Sequence, residues 1–226
     1  MKGRSKEKDE NVNYKTMNII IANQKGGVGK TTLCILLANF LTEVKKEDIV
    51  CIDFDSQGSF FYKWKEDISL YDQDHLYEVI KKNLNESKSI MKELNGLNDQ
   101  AYAIIDVPGL IDSDYLIPVF KSADLIICPF MYDKITFEST FVFVQVLKHL
   151  KIDAPILFIP NRLKSNVNYK LTQSVNEELI MFGHILPPIS DRVTLQRISV
   201  FRNSLETTSI INDIFNKIYN KYINRR

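Results

Sequence analysis

A glycine-rich segment with two lysines is the part of this sequence best suited to chemistry. Residues 23–32 read Asn-Gln-Lys-Gly-Gly-Val-Gly-Lys-Thr-Thr and directly follow the apolar run 18–22. Backbone N–H groups approach an anion closely where no Cβ intervenes, and the start of a following helix attracts negative charge. The sequence therefore predicts a phosphate-binding loop that consists of Gly26, Gly27, Val28, Gly29, Lys30, Thr31 and Thr32.

The spacing matches the pattern Gly-x-x-x-x-Gly-Lys-Ser/Thr except at its first glycine, and Lys25 stands near the start of the loop. In that pattern the lysine reaches the β- and γ-phosphates of a nucleotide and the hydroxyl binds Mg²⁺. We expect these roles of Lys30 and Thr31. A flexible turn is the alternative, which the strand before and the apolar helix after the loop disfavour.

Three carboxylates stand at the ends of two other apolar runs. Asp53 and Asp55 end the run 49–55, and Asp106 ends the run 101–106. Ligands of open α/β sheets bind outside the carboxyl ends of the strands, so these side chains should converge near the phosphates. Mg²⁺ takes few direct protein ligands and keeps several waters, which such carboxylates can hold. Asp55 has a second interpretation, the cap of a helix that starts near Gly58.

The residues that do chemistry need a scaffold that places them together, and the apolar pattern provides one. Short runs predict strands at 18–22, 49–54, 101–106, 124–129, 155–159 and 184–187. Apolar helical patterns follow the loop and cover 136–150. Strands that alternate with helices predict an α/β fold, a single doubly wound and mainly parallel sheet with helices on both faces. Residues 56–100 are polar, and we expect exposed helices there.

Length and composition favour one soluble, intracellular domain. At 226 residues and 45% apolar content the chain can bury a sizeable core. Residues 1–16 are polar, so the expected domain is 17–226 after a disordered tail. No apolar run reaches 18 residues and no secretory core is present, which indicates a cytoplasmic protein. Cys34, Cys51 and Cys128 lack metal-site spacing and should be reduced core thiols.

The loop resembles the deviant Walker A motif of the ParA/MinD family of dimerising ATPases. The segment Asp53-Phe-Asp55-Ser-Gln-Gly58 is similar to the second family motif, Asp-x-Asp-Pro-Gln-Gly, and 103–108 resembles its Walker B strand. The motifs occur in the family's order, and the resemblance covers most of the chain from Met17 onward. It implies a slow ATPase that uses ATP and Mg²⁺, and small ParA-type partition ATPases are the most similar members.

The resemblance also implies roles for single residues. Lys25 would cross a dimer interface to the phosphates bound by the other subunit, and Asp55 would orient the attacking water. Thr31, Asp53 and Asp106 would hold the magnesium shell. Asn161 would read the adenine edge, with Pro187, Pro188 and Asp191 as the second wall, although these are also ordinary turn residues. The switch Asp106-Val-Pro-Gly109 departs from the family's Asp-Thr-Pro-Pro.

Partition ATPases of this family bind DNA without sequence preference as ATP homodimers, and a DNA-bound ParB-like partner stimulates them. Such a protein would be nucleoid-associated and serve plasmid or chromosome segregation. Residues 161–226 carry 10 Lys and Arg against 5 Asp and Glu. The candidate DNA contacts are Arg192, Arg197, Arg202, Lys217, Lys221, Arg225 and Arg226. A solvated basic face is the alternative.

Two other functions fit the same motifs. A MinD-like positioning ATPase docks on membranes through a C-terminal amphipathic helix, and 208–224 has that form, with Ile210, Ile211, Ile214, Ile218 and Tyr222 on one stripe. Such a stripe more often packs on its own core, so membrane binding is disfavoured. A nucleotide-gated DNA-binding scaffold with little hydrolysis is the other option, which the set of Asp53, Asp55 and Asp106 argues against.

Overall fold

A computed structural model describes residues 15–70, 75–96, 101–110, 113–164, 167 and 169–224. Its centre is a sheet of seven strands, each parallel to its neighbours, in the order β3-β2-β4-β1-β5-β6-β7. The strands are β1 Met17–Ile21, β2 Asp48–Asp53, β3 Glu78–Lys81, β4 Ala101–Asp106, β5 Leu125–Phe130, β6 Ile156–Pro160 and β7 His184–Ile185. The predicted doubly wound α/β fold is confirmed.

Helices cover the sheet and connect its strands. They are α1 Lys30–Asn39, α2 Ser59–Leu70, α3 Ser87–Gly96, α4 Leu116–Lys121, α5 Lys134–His149, α6 Thr172–Leu179, α7 Val193–Gln196 and α8 Leu205–Ile218. Helices α1 and α8 continue as wider π-helical turns, Phe40–Lys45 and Tyr219–Ile223. Within the described ranges, no helix combines the length and the apolarity needed to cross a bilayer.

The central strand β1 is buried on both faces, so alternate residues serve two separate cores. Ile19 and Ile21 face the core that α1, α2 and α8 cover, whereas Ile20 faces the core under α3, α4, α5 and α6. The glycine-rich loop leaves the carboxyl end of β1, between β4 and β5. Chain connections diverge to opposite sides of the sheet at this point, which is where α/β sheets bind ligands.

The apolar stripe of α8 packs on the sheet side of the molecule. Ile211, Ile214 and Ile218 are buried in the same core as α1. Phe215 meets the Phe40 ring edge to face, with 5.5 Å between ring centroids. The prediction that this stripe packs on its own domain is confirmed, because its side chains are already covered by protein.

Two parts of the chain differ from the expected map. Residues 56–100 contain helices α2 and α3, as expected, and also the edge strand β3, which was not predicted. Strand β3 pairs with Val50 to Asp53 of β2, and backbone pairing there outweighs its weak apolar pattern. Thr16 is fully buried and Lys15 donates to Asp124, so the domain reaches two residues beyond the expected boundary. Residues 1–14 lie outside the described part.

Replacing Phe215 by alanine should lower the free energy of unfolding by about 3 to 5 kcal/mol, because it empties a fully buried ring site. Leu205→Ala, in the same helix at a 91% exposed position, is the matched control and should change it by less than about 0.5 kcal/mol. Urea unfolding measures both. Equal midpoints for the two variants would show that α8 does not pack on the core.

Candidate functional site

The glycine-rich loop is fixed at its start by a buried asparagine. The Asn23 side-chain amide donates to the Pro129 carbonyl and to the Thr140 hydroxyl, each at 2.8 Å, and its oxygen accepts from the Lys25 amide. Asn23 thus ties the loop to β5 and α5. Sequence reasoning missed this anchor, although an asparagine directly after a strand was its signal.

Lys30 is held at the base of the loop, in the first turn of α1. Its ammonium donates to the Lys25 carbonyl at 3.2 Å, and only 8% of the residue is exposed. Burial lowers the pKa of Lys30, while the negative charges of Asp106 and Asp55 raise it. The structure therefore brings the predicted phosphate-binding lysine within electrostatic reach of both carboxylates.

Thr31 and Asp106 form the closest polar pair of the site. The Thr31 hydroxyl donates to Asp106 Oδ2 at 2.6 Å, and Asp106 is 1% exposed. Burial raises the pKa of Asp106 to about 7. Its other oxygen, Oδ1, is buried with no hydrogen-bond partner among the described residues. A buried oxygen acceptor without a donor is a place where a cation or its water fits.

Asp53 lies opposite Asp106 in the pairing of β2 with β4. Its Oδ1 accepts from the Asp55 amide, and its Oδ2 accepts from the amides of Phe60 and Phe61 at 3.1 and 3.0 Å. Asp53, rather than Asp55, thus binds the free N–H groups at the start of α2. Burial raises the pKa of Asp53, and these hydrogen bonds lower it.

Asp55 is half-buried and lines the cleft beside the loop. One of its oxygens accepts from the Gln57 amide at 3.0 Å, which closes the turn before α2. Lys81 of β3 donates to the Ser56 carbonyl in the same turn. This second support could not be predicted from the sequence, because β3 itself was not predicted.

The switch segment after β4 lies against the phosphate loop. Val107 is fully buried in the core, so an apolar anchor replaces the threonine that is common in similar proteins. A Cβ on Gly109 would lie 3.4 Å from the Lys30 ammonium and 3.5 Å from the Gly26 amide. Glycine thus lets this segment pack closely on the loop.

A cleft of about 660 Å³ runs from the loop to the ends of β6 and β7. Its phosphate end contains Gly26, Gly27, Gly29, Lys30, Thr31, Thr32, Asp55 and Gly109. The other end contains Asn161, Arg162, Ile189, Ser190, Asp191, Leu195 and Gln196. This size is within the range of small-molecule sites and leaves room for a base and sugar beyond the phosphates.

The far wall of the cleft differs in part from the predicted one. Asn161 and Asp191 line it, as expected, whereas Pro187 and Pro188 are exposed and take no part. Leu195 and Gln196 of the short helix α7 take their place. They were not predicted, because a helix of four residues has no readable periodicity. The adenine-reading role of Asn161 stays a prediction.

The remaining candidates are not among the residues that line the cleft. Lys25 is half-buried at the loop's start, and its role across a dimer interface stays a prediction. The described candidates for DNA contact, Arg192, Arg197, Arg202, Lys217 and Lys221, are all exposed. Arg225 and Arg226 lie outside the described residues. All three cysteines are free and buried, as predicted.

Comparison with known families supports the same interpretation of the loop and the sheet. Residues 19–205 match the model of the CobQ/CobB/MinD/ParA nucleotide binding domain. The chain belongs to this family. The predicted resemblance to ParA and MinD proteins is thus confirmed over most of the chain.

Individual members of the family show how far the similarity extends. The maintenance of carboxysome distribution protein A of Gloeobacter kilaueensis is 32% identical over 111 residues, 49% of this chain and 47% of that protein. The match therefore spans about half the length of that relative. A plasmid partition protein of Borrelia burgdorferi B31 bound to AMPPNP superposes with a TM-score of 0.69 at 24% identity, covering 90% and 99% of the two chains.

A ParA of pNOB8 bound to nonspecific DNA superposes with a TM-score of 0.60 at 19% identity, over 90% of this chain and 92% of that one. At these identities the superpositions establish a common fold. They place the glycine loop of this family member in the same α/β framework as solved partition proteins.

Replacing Asp106 by asparagine should alter how stability depends on pH. Folded Asp106 has its pKa raised from 3.8 to about 7, so it binds a proton that the unfolded chain releases between these values. Wild-type stability should therefore fall as pH rises from 5 to 7, by about 2 kcal/mol more than that of Asp106→Asn.

Urea unfolding at pH 5, 6, 7 and 8, with EDTA and without nucleotide, measures this difference. The two profiles should separate progressively up to pH 7 and run in parallel above it. Parallel profiles over the whole range would contradict a buried, proton-binding Asp106.

Proposed function

We propose that this chain is a slow, Mg²⁺-dependent ATPase of the partition type. With ATP it forms a sandwich homodimer, binds DNA without sequence preference, and is stimulated by a DNA-bound ParB-like partner. The observation that supports this most directly is the position of Lys30 beside the Thr31–Asp106 pair, under a glycine loop at the carboxyl end of β1. The family match adds nucleotide binding as a shared property.

Different residues around the loop bind the phosphates and the magnesium ion of the nucleotide. Lys30 contacts the β- and γ-phosphates. Because its ammonium is largely shielded from water, an anion stabilises its charged form. Thr31 and the unpartnered Oδ1 of Asp106 provide the oxygen ligands, directly or through water. Asp53 joins the magnesium shell through Oδ1, which accepts one amide bond and keeps a lone pair, whereas Oδ2 already accepts two. Bound Mg²⁺ neutralises charge on the phosphate oxygens.

Asp55 is the residue proposed to orient the attacking water. It lines the cleft, its backbone amide donates to Asp53 Oδ1, and its own Oδ1 accepts from the Gln57 amide. A carboxylate on a rigid turn can hold a water in one position without rearranging during the reaction. Capping of α2 does not require Asp55, because Asp53 performs that function.

Lys25 is proposed to complete the site from the second subunit. One lysine and one Mg²⁺ leave part of the triphosphate charge unbalanced, and a further ammonium offsets it where two chains exclude water. Hydrolysis and dimerisation are then a single coupled event, so we expect slow turnover by the isolated protein.

DNA binding by the dimer is supported by surface charge and by relatives. The exposed Arg192, Arg197 and Arg202 lie between β7 and α8, in the basic last third of the chain. A structural relative binds nonspecific DNA. The membrane-docking alternative needs a free apolar face on the C-terminal helix, whereas the stripe of α8 is buried. Nucleoid association is therefore the proposed location.

The two loop lysines should separate binding from dimerisation. Lys30→Ala should abolish nucleotide binding, because it removes the buried cation beside the phosphates. Lys25→Ala should still bind ATP, yet stay monomeric. Fluorescent-nucleotide titration and sedimentation velocity with ATP and Mg²⁺ measure the two properties. A Lys25→Ala protein that dimerises like wild type would refute the proposed contact between subunits.

Asp55→Ala should bind ATP but not hydrolyse it, which traps the dimer and its DNA complex. The DNA affinity of the trapped dimer should fall steeply with salt, with a slope of about −0.9 per phosphate contact for roughly four to six contacts. Phosphate release and fluorescence anisotropy with duplex DNA give the two readouts. Wild-type hydrolysis by this variant would remove Asp55 from the mechanism.

A further inference from the structure

We propose that Asn161 and Arg162 are positioning residues of the phosphate loop. Their side chains donate hydrogen bonds to two consecutive backbone carbonyls of the loop. The inference rests on the proposed function, because it concerns how the same loop is prepared for a polyphosphate. Residues at the end of β6 would then position the loop whichever base the nucleotide carries.

Two side-chain contacts carry the proposal. The Asn161 amide nitrogen Nδ2 donates to the Val28 carbonyl at 2.8 Å, and Arg162 Nη1 donates to the Gly27 carbonyl at 2.9 Å. Asn161 is 4% exposed, and its backbone N–H donates to the Phe130 carbonyl at 2.7 Å. The contact with the loop is thus made from a rigid, buried position on the sheet.

The two contacts fix the direction of the next two N–H groups. Across a trans peptide, the carbonyl of one residue and the N–H of the following residue point in opposite directions. Binding the Gly27 and Val28 carbonyls toward β6 therefore turns the N–H groups of Val28 and Gly29 away from it. Among the described residues the Gly29 N–H has no hydrogen-bond acceptor, so it is available to a bound anion.

The local backbone is shaped for these contacts. Gly29 has φ +96°, and a Cβ there would collide with the Asn161 side-chain amide. Arg162 adopts φ +57°, a left-handed conformation that non-glycine residues adopt rarely. Its guanidinium is also held at 4.0 Å from Asp191. Backbone strain of this kind persists where surrounding contacts determine the conformation.

Loop positioning and adenine reading predict different results. If Asn161 positions the loop, its loss weakens every ligand that carries the polyphosphate. If Asn161 only reads adenine, its loss weakens ATP alone. Inorganic tripolyphosphate has no base or sugar, so it isolates the effect on the loop.

Calorimetric titration of the full chain with ATP, GTP and tripolyphosphate, each with Mg²⁺, tests the proposal. Asn161→Ala should weaken all three by the same factor, about three- to tenfold, as expected for one lost hydrogen bond. Asn161→Asp keeps the shape but places an acceptor against the Val28 carbonyl, so it should weaken them further. Replacing the exposed Arg162 by alanine should weaken all three equally, whereas Lys170→Ala, at an exposed position outside the cleft lining, should change none.

Melting temperatures establish that each variant is folded, and Arg162→Ala carries the test if Asn161→Ala is not. Loss of ATP affinity with unchanged GTP and tripolyphosphate affinity would overturn the proposal in favour of base reading. Unchanged tripolyphosphate affinity in Arg162→Ala would also overturn it. Wild-type protein that binds none of the three ligands would overturn the proposed function, and this inference with it.

Discussion

The structure depends on one electrostatic constraint at the carboxyl end of β1, where a buried lysine and a buried carboxylate share a site that water hardly reaches. Lys30 and Asp106 are both almost fully buried. Burial lowers the pKa of Lys30 and raises that of Asp106, which favours the neutral form of each. Their mutual attraction offsets only part of the cost of burying the two charges. In the proposed complex, the polyphosphate would provide an anion for Lys30 and Mg²⁺ a cation for Asp106.

Helix α2 connects the site to residues 197–202. Asp53 binds the amides at the start of α2, and the buried Asp67, near its other end, accepts from the Val200 amide at 3.0 Å. Val200 lies between Arg197 and Arg202, and the Asn39 side chain at the end of α1 donates to the neighbouring Ser199 carbonyl. Helices α1 and α2 begin at the cleft and thus end against residues 199–200, between Arg197 and Arg202.

The sequence allowed the sheet and the phosphate end of the site to be predicted, because both depend on local patterns. Buried parallel strands are nearly continuous apolar runs, and the glycines and Lys30 must be adjacent in sequence to form the loop. Strand β3 was missed, since its four residues acquire order only by pairing with β2. The contacts of Asn161 and Asn23 were missed because each joins residues more than 100 positions apart.

The central claim is that the loop, Lys30 and the Thr31–Asp106 pair together bind a magnesium nucleotide. Titration calorimetry of the wild-type chain with ATP at pH 8, in the presence of Mg²⁺ or of EDTA, tests it most directly. We expect one ATP site per chain and an affinity for ATP at least about tenfold higher with Mg²⁺ than with EDTA. The absence of binding, or equal affinity with and without Mg²⁺, would contradict it.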